Sequence, residues 1–474
     1  MHKVPAFIKF KLKKNIRMKR RYKILFTSGM YIKAFHETIE TTKNIQMKKH
    51  LITFTLLYAS VIANAQTPVN SELKSIINQS FTYYPKVQEA QNQINIAQKR
   101  IDAAKTNLPT VDLNGSYEYV QPKITLPLEV NGEKQNFQFA PVHNFNANVG
   151  AQYMLLDFGR LKANVDKSKT DLKYATDNVS NVQTQLASQV AAIYYNIIYF
   201  RKAIAVEDSV LNYLNANKTI AKNKLKNGDA IKLDVLNLQS QVDNEINLRE
   251  DLLNNLQKQI TLLQYTTGNT NIANNGFDFN LPVQAPQDAF TTASTSAPDF
   301  LLAQDKIEQA KADLKVVRQT DKPSITLNGS AGVKNGYVPN VNEARFNYAG
   351  GVSLKVPLFD AKTKKQIAVA EAQVKQNQLA QESLNNEYQQ NIQQALTDIQ
   401  TNAEKLKNMK SQIENAEAAV QIASSRYLNG IGLNTDITDA AVNLQRALLT
   451  ELRYEYQLAL AKVEYARVTG YKYW

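Results

Sequence analysis

The sequence predicts a mainly α fold with a membrane β-barrel portion, built as a duplicated helix-strand-strand-helix protomer. Three observations predict it. Short motifs occur twice in the same order, each copy holds one very long proline-free amphipathic stretch, and four short segments between these stretches alternate polar with apolar residues.

The duplication is read first, because a repeat fixes the architecture. Leu108-Pro109 followed by Leu113-Asn114-Gly115-Ser116 recurs as Lys322-Pro323 followed by Leu327-Asn328-Gly329-Ser330. Asn227-Gly228 with Asp234-Val235 recurs as Asn429-Gly430 with Asp436-Ile437, and Thr267-Gly268 recurs as Thr469-Gly470. The offset is 214 early and 202 later, so the first copy carries about 12 extra residues between its two strands. The repeats are placed at 66–270 and 287–474, with 271–286 as the linker.

Each repeat is dominated by one helix. From Tyr388 the positions Ile392, Ala395, Ile399, Asn402, Leu406, Met409, Ile413, Ala416, Val420, Ala423 and Tyr427 alternate steps of four and three. All but Asn402 are apolar or aromatic, the pattern of a coiled-coil seam. The first copy runs through Ala175, Val179, Val182, Leu186, Val190, Ile193, Ile197, Phe200 and Ile204 with one extra step of four. No proline interrupts 159–226 or 361–428, so each helix could extend roughly 100 Å at 1.5 Å per residue. A second helix then returns, over about 230–267 and 436–469, giving two helical hairpins.

The strands are expected at about 111–120, 145–155, 324–334 and 346–357. In the first, Val111, Leu113, Gly115, Tyr117 and Tyr119 alternate with Asp112, Asn114, Ser116 and Glu118. The other three alternate in the same way, as lipid-facing barrel strands do; half-buried strands of a soluble sheet share the pattern. Asn131-Gly132 and Asn335-Gly336 are turn-forming dipeptides in the links within each strand pair. Four strands cannot close a barrel, and open edges are not tolerated in hydrocarbon. Three copies supply 12 strands and a cylinder of 12 helical segments.

The start of the chain reads as an export signal. Met47-Lys48-Lys49-His50 precedes an apolar run from Leu51 to Ile62 and then Ala63-Asn64-Ala65, the order of a cleavable secretory peptide. Cleavage is expected after Ala65, with residues 1–46 as an upstream extension. Residues 1–65 carry 14 Lys or Arg against two Glu, so 12 of the 14 net positive charges lie there and +2 remains on the rest. A nucleic-acid-binding protein is therefore not supported. The chain has no cysteine, and of its four histidines only His143 follows Ala65. Thiolate and multi-histidine metal sites cannot be built, and there is no Gly-Lys dipeptide for a phosphate loop.

The Leu155-Leu156-Asp157-Phe158-Gly159-Arg160 and Pro357-Leu358-Phe359-Asp360 junctions, with the tips at 226–235 and 426–437, carry a resemblance. Taken twice in order over 70–470, they resemble the TolC family of outer-membrane efflux proteins. The resemblance implies a homotrimer set in outer-membrane lipid and extending into the periplasm. It implies docking to a periplasmic adaptor and an inner-membrane pump, with no cofactor and no catalysis. It places Asp436 and Asp439 in an entrance ring, makes Tyr427 a gate residue with Asp234 as its partner, and puts Gly228 and Gly430 at tips that touch the adaptor. Acids at a helix start also favour the helix dipole without any gate, and glycine also serves a tight turn. A gate arginine of the family would fall at Gly432. A soluble periplasmic coiled-coil scaffold would explain the heptads but not the strands.

Overall fold

The structure, a computed structural model, describes residues 69–130 and 132–474. The export signal at Met47–Ala65, the extension before it and Asn131 of the first turn lie outside the described residues. In chain order the elements are α1 (Ser71–Tyr83), α2 (Pro85–Lys105), β1 (Thr110–Tyr119), β2 (Thr125–Val130), β3 (Glu133–Gln138), β4 (His143–Leu156), α3 (Arg160–Asn227) and α4 (Lys232–Thr267). There follow α5 (Pro286–Ser296), α6 (Pro298–Arg318), β5 (Ser324–Lys334), β6 (Arg345–Lys355), α7 (Ala361–Leu428) and α8 (Asn434–Thr469).

The two long helices, α3 and α7, are 68 residues each and unbroken. Every heptad position named above on α7 is buried or half-buried, Asn402 included, so the seam is real packing. Both helices are started by an aspartate at the strand-to-helix junction. Asp157 accepts from the amides of Gly159 (3.0 Å) and Leu161 (2.5 Å), and Asp360 accepts from the amide (3.0 Å) and hydroxyl (2.7 Å) of Thr363. These satisfy orphan N–H groups of the first turn.

Packing along α3 joins the repeats. One end meets α6 through a ladder of polar pairs: Asp166–Lys315 at 2.7 Å, Lys167–Asp313 at 2.5 Å, Gln309 donating to Asp171 at 2.7 Å, and Lys173 with Asp305. Apart from Asp305, which is buried, these side chains are partly or largely exposed, and exposed pairs contribute little each. The other end packs on α4, with Arg249 and Asp208 2.6 Å apart, and on α8. The largest core lies between these ends. It gathers Leu73 and Ile77 of α1, Val190 to Ile198 of α3, Leu263 of α4, Phe279, and Val463 and Tyr473 near the C-terminus. Tyr194 and Tyr195 belong to it, bonded to Glu72 and to the carbonyl of Asp278.

The four expected strands form one antiparallel sheet in the order β1-β4-β5-β6. Register decides what the alternation means. Leu113 pairs with Val149, Val149 with Ala331, Val333 with Phe346 and Leu327 with Val352, so the apolar sets of all four strands share one face. That face is bare: Leu113 is 80% and Tyr348 83% exposed. A bulge between Met154 and Leu156 shifts the register of β4 on β5, so that Leu156 pairs with Ile325. Among the described residues no helix is long and apolar enough to cross a membrane.

One element goes beyond the expected four strands. The extra residues of the first repeat form a second hairpin, β2 paired with β3, from Thr125 opposite Gln138 to Val130 opposite Glu133. Its strands alternate too, Leu126 facing Phe137, and Gly132 takes the positive φ of +86° that its turn needs.

Candidate functional site

The tips of the two helical hairpins bring most of the singled-out residues into one region. Each turn leaves its long helix through a glycine with positive φ, +81° at Gly228 and +77° at Gly430, a conformation glycine adopts without steric cost. A Cβ at either position would meet nothing within 4 Å. Backbone geometry, not crowding, therefore demands the glycines, and the outer surface of each turn is open.

The returning helices start alike. Asp234 accepts from the amide of Ile231 at 3.3 Å, and Asp436 from the amide of Leu433 at 3.1 Å. Both acids thus cap their own helix. Asp439 stands one turn further along α8, on the exposed side.

Tyr427 lies at the centre, packed with Ala423, Ile437 and Ala440. It is 5% exposed, and its hydroxyl has no hydrogen-bond partner within the chain. Burial pushes the phenol up from its ordinary value, and the nearby charge of Asp234 adds to this. The structure thus brings Tyr427 and Asp234 close without a hydrogen bond between them.

Three cross-repeat contacts at the tips went unread in the sequence. Lys224, in the last turn of α3, donates to the carbonyls of Tyr427 (2.6 Å) and Leu428 (3.5 Å). Its ammonium also stands 4.7 Å from the centre of the Tyr427 ring. Asn434 donates to the carbonyl of Asp234 at 3.1 Å, and Tyr213 and Ser424 hydroxyls are 2.6 Å apart. A lysine in a last helical turn reads as a cap for its own carbonyls; that it caps the neighbouring helix is tertiary information.

At Gly432, where the resemblance would put an arginine, the turn is tight. The Gly432 amide donates to Arg426 O at 3.1 Å, as does that of Ile431 at 3.0 Å. A Cβ there would lie 2.9 Å from Arg426 Cβ and 3.0 Å from the Tyr427 nitrogen. The turn folds back too tightly for a side chain, and Lys224 reaches the same end of α7 from the other repeat. Among the described residues no group of three or more His, Asp or Glu is arranged to hold a metal.

Comparison with known proteins identifies the family and the fold. The family model described as outer membrane efflux protein matches residues 76–269 and 291–471. Nodulation protein T of Rhizobium leguminosarum bv. trifolii is 22% identical over 420 residues, covering 84% of this chain and 86% of that protein. Toxin and drug export protein A of Aggregatibacter actinomycetemcomitans is 24% identical over 353 residues, covering 69% and 73%. Among solved structures, the outer-membrane channel OprN superposes with a TM-score of 0.69 at 17% identity, over 85% of this chain and 91% of that one.

Proposed function

Because the chain belongs to the outer membrane efflux protein family, we propose that it is the outer-membrane duct of a tripartite efflux or type I secretion machine. Solutes leave through it passively, driven by an inner-membrane pump. One observation carries the reading: a four-stranded sheet with one bare apolar face continues directly into two helices of 68 residues. The edges β1 and β6 have no partner in the sheet, and hydrocarbon does not tolerate open edges. Pairing β6 of one copy with β1 of the next closes 12 strands in a homotrimer, with the helices reaching into the periplasm. A soluble scaffold would leave that apolar face in water, which disfavours it.

The tips supply the entrance and the docking surface of this reading. Asp436 and Asp439 repeat three times around the periplasmic mouth and make it cation-attracting. Tyr427, Asp234 and Lys224 hold the two hairpins of one chain together behind that ring. Gly228 and Gly430 give the turns that meet the adaptor, and the exposed Ile231, Leu233, Ile431 and Leu433 beside them offer it apolar area. The word export in one relative's name supports outward flux.

The test is conductance across a planar bilayer. The protein should insert as a cation-selective pore, and Asp436→Ala with Asp439→Ala should weaken that selectivity and abolish block by trivalent cations from the periplasmic side. Unchanged selectivity and block would reduce both acids to helix-start residues, and absence of any conductance would remove the duct.

A further inference from the structure

Away from the tips, α3, α4 and α8 meet at a buried polar point. Glu207 of α3 is 1% exposed, Glu245 of α4 is 3% and Gln445 of α8 is 7%. The Gln445 Nε2 lies 2.9 and 2.8 Å from the two Glu207 oxygens and 2.6 Å from Glu245 Oε2. Gln241 donates to the remaining Glu245 oxygen at 2.9 Å. One amide nitrogen has two hydrogens, so it cannot serve three carboxylate oxygens fully. Sharing that one amide brings the two carboxyl groups together, and carboxyls can bond each other only if one of them holds a proton.

The charged groups around the pair do not neutralise it. On the α3 and α4 side, Asp208 is taken up by Arg249 at 2.6 Å, which also reaches Glu250 at 3.7 Å. Lys202 of α3 pairs with Glu455 of α8 at 3.2 Å, near Glu451. Arg446 and Arg453 of α8 line an adjoining cleft, of about 370 Å³, that Glu245 and Gln445 also border. Among the described residues no Lys or Arg forms an ion pair with Glu207 or Glu245. Burial raises the Glu207 carboxyl; the Gln445 amide opposes this, Glu245 and Asp208 add to it, and the net result is a carboxyl pushed up to about 7.

We propose that Glu207, Glu245 and Gln445 form a proton-held latch that docks α8 onto the α3–α4 hairpin and releases it when the acid pair loses its proton. With the proton, the carboxyls bond each other and the amide of α8 completes the cluster. Without it, two like charges share a buried site with one amide between them, and separating the helices lets water reach both. The open cleft admits water, so the proton exchanges without unfolding. The docked state binds more protons than the undocked one, because its carboxyl titrates above the ordinary 4.5. Docking is therefore fully present in acid, weakens as pH rises from about 4.5 to about 7, and changes no further above that. The latch stands 11 to 13 residues from the starts of α4 and α8, roughly 20 Å from the turns. Its release frees the end of α8 that carries Asp436 and Asp439.

This goes beyond the duct reading, and its test reads helix separation whether or not the protein conducts. The chain has no cysteine, so Asn247→Cys on α4 and Asn443→Cys on α8, both at exposed positions, accept spin labels specifically. Labelled full-length protein is diluted among unlabelled chains, so that only distances within a chain are read. Between pH 5 and pH 8 the ratio of docked to undocked distances should fall about tenfold or more. In Glu207→Gln, and separately in Glu245→Gln, an amide replaces the protonated acid and the docked distance should persist across the range. A distance independent of pH in the unmodified cluster overturns the latch, as does a pH response in either Gln variant equal to that of the parent.

Discussion

Tyr427 carries the sharpest expectation at the scale of single residues, because its phenol is buried without a hydrogen-bond partner in the chain. Removing a hydroxyl that bonds nothing costs no hydrogen bond, so Tyr427→Phe should be neutral or stabilising by up to about 1 kcal/mol. Lys224→Met should do the opposite. It removes two hydrogen bonds to the end of α7 and a cation over the Tyr427 ring, worth together about 1–3 kcal/mol. Hydrogen exchange at amides 427–434 checks both: roughly tenfold or more faster in Lys224→Met, unchanged or slower in Tyr427→Phe. Faster exchange in Tyr427→Phe would mean that the phenol is bonded after all. Sequence reasoning picked out Tyr427 and Asp234 and passed over Lys224. A seam position and a helix-start acid are visible in a local pattern, whereas a side chain that crosses 203 residues to reach a carbonyl is visible only once the two hairpins lie side by side.

Among the elements, helices were more legible than strand connections, for a physical reason. A seam at steps of three and four from Tyr388 to Tyr427, apolar but for Asn402, in a proline-free stretch of 68 residues has few alternative readings, and the aspartates and glycines at its ends are local signals. The loop between β1 and β4 lacked such a period and read only as an insertion with a turn. Its residues pair with each other instead, as β2 and β3. Within the main sheet, the face shared by the four strands depends on register, which alternation alone does not fix. Glycines test that register directly. A Cβ on Gly332 would stand 2.2 Å from Ala147 O, on the neighbouring strand, while one on Gly350 would meet nothing within 4 Å. Gly332→Ala should therefore prevent β4 from pairing with β5 and sharply reduce the yield of folded protein from outer membranes, with Gly350→Ala close to the parent. Equal yields for the two would contradict the register. At the helical tip, Ile437 is fully buried beneath Tyr427, and Ile437→Ala should cost about 2–5 kcal/mol. Limited proteolysis should then cut first within the turn at 429–433.

For the whole molecule, the decisive fact is an incompleteness. One chain offers four strands with two unpaired edges and an apolar face in the open, and helices with exposed apolar residues, Leu233 and Leu236 on α4 and Val369 and Ile422 on α7. In the proposed homotrimer these features would be satisfied together by rotation of identical copies about one axis, the closed symmetry common among homo-oligomers. In the proposed homotrimer the strands number 12, within the even-numbered range of single-layer membrane barrels. The duplication that predicted this arrangement was the most informative feature of the sequence, because it showed that strands come in two pairs per chain and not as one closed set. Mass spectrometry of the protein released intact from detergent micelles measures the number directly. The proposed homotrimer should fly as a single species of three chains, each beginning at Gln66; a stable monomer, or a protein that stays dispersed when detergent is withdrawn, would rule it out.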